Sequence, residues 1–388
     1  MKVPFVDLRA MHEEVRPEIE AAFTNVFDRS SFVGGLYVDT FEKNFATYCG
    51  VRQVVACASG TDAVKLALMA AGVQAGDEVL TVSHTFIASV EAITLLGAKP
   101  AFIEIDPTTY HMSPAALEAF FQEECRLGAD GHWVDGNTGL RVTAVLPVHL
   151  YGLMVDIKPI LDLAKKYNLV VVEDAAQAHG ATYTLDGKVL KAGCFGQAGA
   201  FSFYPAKNLG AMGEGGAVTT NCEEAAQRMK MWRDHGSDQK YVHLSPDGWN
   251  GRLDSLQCAI LDIKLKKLDE WNARRRQVAA WYAERLSEDE RIVLPVVPQG
   301  RQHIYHLYVV RVPKRDQVLK GLGARGIGSG LHYPIPLHLQ VAYRDLGYAV
   351  GDFSVTEAIA VSILTLPMFP HMTEEMVDFT CQNLKELL

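Results

Sequence analysis

The run FSFYPAKNLGAMGEGG, residues 201–216, sets Lys207 at the end of an apolar segment and follows it with Gly210, Gly213, Gly215 and Gly216. A lysine amine has an ordinary pKa of about 10.4, and burial disfavours its charged form. A neutral amine can attack a carbonyl and form an imine. The same lysine also reads as a side chain that lays its stem on apolar surface and keeps its head in water. Asp174, in VVVEDAAQAHG, lies just past an apolar stretch, where a strand of a parallel sheet presents residues to ligands. It reads either as a carboxylate facing a cation or as a helix N-cap after a strand. Gln177 follows about one helical turn later, close enough to share a ligand with Asp174, and its neutral amide suits a place beside a phenolate.

A third element is ASGTDAV, residues 58–64, with Gly60 between two hydroxyl residues at the start of a helical stretch. Backbone N–H groups and the helix dipole favour an anion there, and S-G-T-D reads equally as plain capping. It does not satisfy the P-loop pattern. An imine-forming amine, a strand-end carboxylate, a phosphate cradle and Ser202 just before the lysine together meet the demands of pyridoxal phosphate. The glycines after Lys207 would let the backbone pass close to that cofactor.

Such groups need a scaffold that brings them to one edge. Apolar runs at 54–58, 78–82, 100–105, 142–149 and 169–172 read as strands, with helical stretches at 62–71, 87–96 and 156–167 between them. Strands apolar on both faces and separated by helices call for a mainly parallel, helix-covered α/β sheet. The polar stretch 126–140 has turn residues and no period, and reads as a surface insertion in the form of a hairpin. Near residue 253 the pattern changes to one long charged helix over 253–286, bridging to a smaller α/β unit. The runs 304–312, 317–322, 327–331 and 356–364 belong to that unit. The expected division is a large domain at 1–252 and a linking helix with a small domain at 253–388.

The chain has 388 residues, 48% hydrophobic and 21% charged, with a formal net charge of -9 and no long basic run, which argues against nucleic-acid binding. Its seven cysteines are scattered and form no C-x-x-C pair, so no metal site is read from them and a reducing compartment is expected. The first residues, MKVPFVDLRAMHEEV, carry charge too early for a signal peptide, and no window reaches the ~18 apolar residues of a membrane span. These readings point to a soluble, cytoplasmic protein. No G-x-G-x-x-G follows the first strand, which disfavours a plain NAD-dependent enzyme.

The motifs FVGGLYVDTFEKNFATYCGV, SGTDA, SHTFIASVEAI, PVHLYG, VVEDAAQAHGA, FSFYPAKNLGAMGEGG, GWNGRLDSLQCAI and HYPIPLHLQ, with VPFVDLRA near the start, span nearly the whole chain. In them the sequence resembles the DegT/StrS nucleotide-sugar aminotransferases, pyridoxal-phosphate enzymes of the aspartate-aminotransferase fold (fold type I). The resemblance implies a Schiff-base lysine at Lys207, with Asp174 on the pyridine nitrogen and Gln177 near the ring hydroxyl. It implies Gly60, Thr61 and Ser202 at the phosphate and Phe86 stacked on the ring, although Phe86 also reads as core packing. Asn250 would reach the phosphate of a neighbouring subunit, and Arg252 would meet anionic substrate, in a homodimer with shared sites. His332 and Tyr333 would line the sugar-nucleotide cleft, with His332 reading equally as a loop histidine. The implied reaction moves an amino group, from L-glutamate, to a keto sugar on a nucleoside diphosphate. A cyclitol ketone as acceptor and a non-catalytic cofactor-binding regulator are the alternatives. Relatives that act as dehydratases replace the lysine, typically by histidine, and this chain keeps it.

Overall fold

The computed structural model describes residues 1–129 and 131–388. Its centre is a sheet of nine strands. Seven of them are β1 (Gln53–Cys57), β2 (Asp77–Val82), β3 (Lys99–Ile103), β4 (Arg141–Val145), β5 (Val170–Asp174), β6 (Ala198–Ser202) and β7 (Gly216–Thr220), ordered β1-β7-β6-β5-β4-β2-β3. From β6 to β3 every pairing is parallel, whereas β7 runs antiparallel to both β1 and β6. Strands β1, β5 and β6 therefore share one direction. Their carboxyl ends, at Cys57, Asp174 and Ser202, meet along one edge. Strand β6 is buried at every residue and β5 at all but its first, as expected of strands covered on both faces.

Helices Gly60–Ala70, Ala88–Leu95, Pro114–Glu123 and Ile157–Tyr167 pack around this sheet. The insertion is a hairpin of Cys125–Leu127 against Trp133–Asp135, and it extends the sheet where Val134 pairs with Arg141 of β4. Position 130, within it, lies outside the described residues.

The long charged stretch is two helices, Ser255–Leu265 and Leu268–Leu286, where a single one was expected. The break at Lys266 and Lys267 divides their work. Cys258, Leu261 and Leu265 pack under the large sheet, whereas Val278, Tyr282 and Leu286 pack in a separate C-terminal core. That core holds β8 (Tyr308–Arg311), paired antiparallel with β9 (Ile363–Leu366), and the helices Arg315–Ala324 and Glu374–Leu387. Within 304–312 only Tyr308–Arg311 is strand, and 356–364 divides between helix Ser354–Ala360 and β9. Val3 joins this core from the other end of the chain, bridging to Ile327. No helix among the described residues is long and apolar enough to cross a membrane.

Candidate active site

At the edge where β1, β5 and β6 end, a cavity of about 590 Å³ opens between the sheet and the C-terminal unit. Gly60, Thr61, Phe86, Asp174, Gln177, Ser202, Lys207, His332 and Tyr333 all line it. Asn250 and Arg252 do not. Asn250 is exposed, and Arg252 is ion-paired with Asp234.

Lys207 follows β6 on a tight turn, its N–H donating to the Tyr204 carbonyl at 2.8 Å. A Cβ at Gly210 would lie 2.2 Å from the Pro205 oxygen, so only glycine lets the loop fold back on itself there. The Asn208 side chain anchors the loop, donating to Asn272 at 2.8 Å and to the Ile304 carbonyl at 3.2 Å. The amine is partly open to the cavity but desolvated by its walls. Burial lowers its pKa from 10.5 to about 8, against the opposing pull of the Asp174 charge. The same burial, together with the charge on Lys207, lowers His332 to about 4 and His179 to about 3, so both rings are neutral at physiological pH.

Asp174 ends β5 and is not a helix cap. The chain goes on through turns, and Ala176 N–H donates to Asp174 Oδ1 at 3.1 Å. Ser89 Oγ donates to Oδ2 at 2.6 Å. Ser89 escaped the sequence reading. Its signal was a hydroxyl within an apolar helical stretch, but only folding sets it against the carboxylate. The neighbouring Glu173 faces the other way, into protein. Burial raises its pKa, but His149 at 2.9 Å and the N–H groups of Gly193, Phe195 and Gly196 outweigh that and hold it below the ordinary range. The pair locks the end of β5, and Asp174 is left to face the cavity.

The S-G-T-D stretch caps its helix and still leaves donors open. Ser59 Oγ accepts from Asp62 N–H at 3.0 Å and leaves the N–H groups of Gly60 and Thr61 without intrahelical acceptors. A Cβ on Gly60 would come within 2.6 Å of Ser202 Cβ, so glycine brings the helix start against that serine. Ser202 Oγ accepts from Tyr204 N–H at 3.3 Å, which leaves its own hydrogen free to donate. These donors fit a phosphate, and Lys207 and Asp174 in the same cavity fit an aldehyde-bearing pyridine ring.

Gln177 Oε1 accepts from Tyr151 N–H at 2.7 Å, and its Nε2 donates to the Tyr333 hydroxyl at 3.1 Å. The turns after Asp174, rather than a helix, bring it to the cavity. Tyr151, also missed from sequence, donates its hydroxyl to the His332 carbonyl and lies 2.8 Å from His84 Nε2. His332 Nδ1 is 2.8 Å from Thr365 Oγ1. Phe86 is 51% exposed, so it is not core packing, and its ring centroid lies 5.6 Å from that of Tyr333.

The profile of the DegT/DnrJ/EryC1/StrS aminotransferase family matches residues 13–385. The chain belongs to that family. Over 388 residues, 100% of this chain and 98% of its counterpart, it is 41% identical to the "Pleiotropic regulatory protein" of Geobacillus stearothermophilus. It is 42% identical over 376 residues to the "dTDP-3-amino-3,6-dideoxy-alpha-D-galactopyranose transaminase" of Aneurinibacillus thermoaerophilus, covering 97% of each chain. The crystal structure of S. venezuelae DesV in complex with a ketimine intermediate matches it with a TM-score of 0.91 at 39% identity, over 99% of this chain and 98% of that one. This DegT-family chain is accordingly a pyridoxal-phosphate-dependent aminotransferase.

Proposed function

We propose that this enzyme carries an amino group from L-glutamate to a keto sugar held on a nucleoside diphosphate, for amino-sugar synthesis in the cytoplasm. The observation that carries the reading is the meeting of Lys207, Asp174 and the Gly60–Thr61–Ser202 cradle in one cavity. The names of relatives that act on dTDP- and UDP-linked amino sugars support the acceptor class. Pyridoxal phosphate, when bound, supplies the carbonyl that carries the amine and a ring that takes up electrons.

The chain's own groups do the rest. Lys207 Nζ would hold the cofactor and, once displaced by the donor, act as the base that takes a proton from the α-carbon and returns it. Its lowered pKa of about 8 keeps a useful fraction neutral near physiological pH. Asp174, with both oxygens fixed by Ser89 and Ala176, would hold a proton on the ring nitrogen. Gln177 would face the ring hydroxyl and Phe86 the ring plane. His332 and Tyr333 would meet the acceptor. Asn250 and Arg252, which lie outside their own chain's cavity, would serve the site of a second subunit in a homodimer.

The test is a mass-spectrometric acceptor screen with glutamate as donor, over 3-keto and 4-keto sugars on uridine, thymidine and guanosine diphosphates. Amino-sugar product and 2-oxoglutarate should appear together, and Lys207→Ala should abolish both. Amine formed on a free cyclitol ketone as readily as on any nucleotide-linked sugar would overturn the acceptor class. Full turnover by Lys207→Ala without added amine would overturn the mechanism.

A further inference from the structure

The cavity has a wall that no catalytic motif explains. Residues 3–6 run as a strap beside the cavity, and Phe5 and Val6 line it. Backbone bonds at Val3 N to Gly326 O (3.0 Å), Gly328 N to Val3 O (2.8 Å) and Met368 N to Phe5 O (3.4 Å) pin the strap to the C-terminal unit. Val3 is only 1% exposed, so the strap is anchored by burial as well. Gly328 is shaped to receive it, since a Cβ there would lie 2.4 Å from the Phe5 nitrogen.

Phe5 itself is half-buried, and its ring lies almost parallel to that of His332, with centroids 5.6 Å apart and planes at 10°. His332 in turn meets Tyr333 edge-on at 5.5 Å, and Tyr333 meets Phe86 at 5.6 Å. Thr365 occupies His332 Nδ1, which leaves Nε2 of this neutral ring for a ligand. Phe5 thus ends a continuous aromatic wall. Phe86 would face the cofactor ring, so His332, at the Phe5 end of this wall, borders the space left for substrate.

We infer that Phe5 is a positioning residue for the amino acceptor. Its ring holds the His332 imidazole, and with it the acceptor-facing wall, in place against the keto sugar. The inference rests on the acceptor class proposed above. A flat aromatic stack resists tilting of the imidazole, so its loss should loosen acceptor binding and leave the chemistry at Lys207 unaffected.

The two half-reactions separate these effects in the cofactor-loaded enzyme. Conversion of the bound cofactor by glutamate, followed by absorbance without acceptor, should proceed in Phe5→Ala and Phe5→Leu at rates within about twofold of the parent. The KM for the nucleotide-linked keto sugar should rise about tenfold in Phe5→Ala, with kcat less affected, and Phe5→Tyr should restore it. Calorimetric affinity for the nucleotide-linked amino-sugar product should fall in parallel. Equal losses in both half-reactions in Phe5→Leu, or no change in acceptor KM or product affinity, would overturn the inference. A parent enzyme that aminates no nucleotide-linked sugar at all would instead overturn the proposed acceptor, and this inference with it.

Discussion

Two opposed effects act on the Lys207 amine, and one of them can be removed by itself. Burial lowers its pKa to about 8, and Asp174 resists that fall. In the cofactor-free protein, capture of pyridoxal phosphate needs the neutral amine. The stopped-flow capture rate should therefore climb as pH rises through about 8 and level off above it. Asp174→Ala takes away the charge that favours the ammonium, so the midpoint should move to lower pH. A midpoint that stays near the free-lysine value of about 10.4 would refute the desolvation. The lysine and aspartate were legible in the sequence because each sits beside a strand whose apolar pattern is local. Ser89 was not legible, because 85 residues separate it from the carboxylate it bonds.

Among the elements, the hairpin insertion has a physical signature in Glu78, at the start of β2. Burial, with the nearby Asp135 charge, raises its pKa from 4.5 to about 8, and Thr138 Oγ1 donates to it at 3.1 Å. The native state thus prefers the protonated acid. Its stabilising effect is full below about pH 4.5 and is lost as pH rises through about 8, because the unfolded chain ionises first. Glu78→Gln, which mimics the protonated form, should melt with the parent near pH 4.5 and several degrees above it at pH 8.5, as read by thermal unfolding. A gap independent of pH would contradict this assignment. The insertion's hairpin form followed from its turn residues, but its attachment to β4 depends on which strand edge was free. Likewise, helical periodicity runs through Lys266 and Lys267 without a break, and the helix divides there because its two halves bury their apolar faces in different cores.

At the scale of the whole molecule, Asn250 and Arg252 remain outside the cavity of their own chain, which suits a site completed by a second copy. In a shared-site homodimer, a subunit carrying Lys207→Ala can still lend Asn250 to a partner carrying Asn250→Ala, and that partner supplies the intact lysine. Mixing the two variants under conditions of subunit exchange should therefore raise turnover above the sum of the two alone, each hybrid dimer regaining one complete site. Activity of the mixture no greater than the sum of its parts would argue for self-contained sites. Such a dimer also gives a reason for the exposed Phe23, Phe27, Phe32 and Leu36 on the amino-terminal helices and the segment between them, apolar area that a lone subunit leaves in water.

By itself the sequence determined the kinds of chemistry available and the layered α/β scaffold. Periodicity, capping residues and the neighbours of Lys207 act over a few positions and need no distant partner. Only the tertiary structure decided which groups meet. It set Phe5 beside His332, Ser89 beside Asp174 and Gly60 beside Ser202, and it joined Val3 to the far end of the chain. An apolar or hydroxyl side chain signals that it will be buried or bonded, but strand order and loop closure choose its partner.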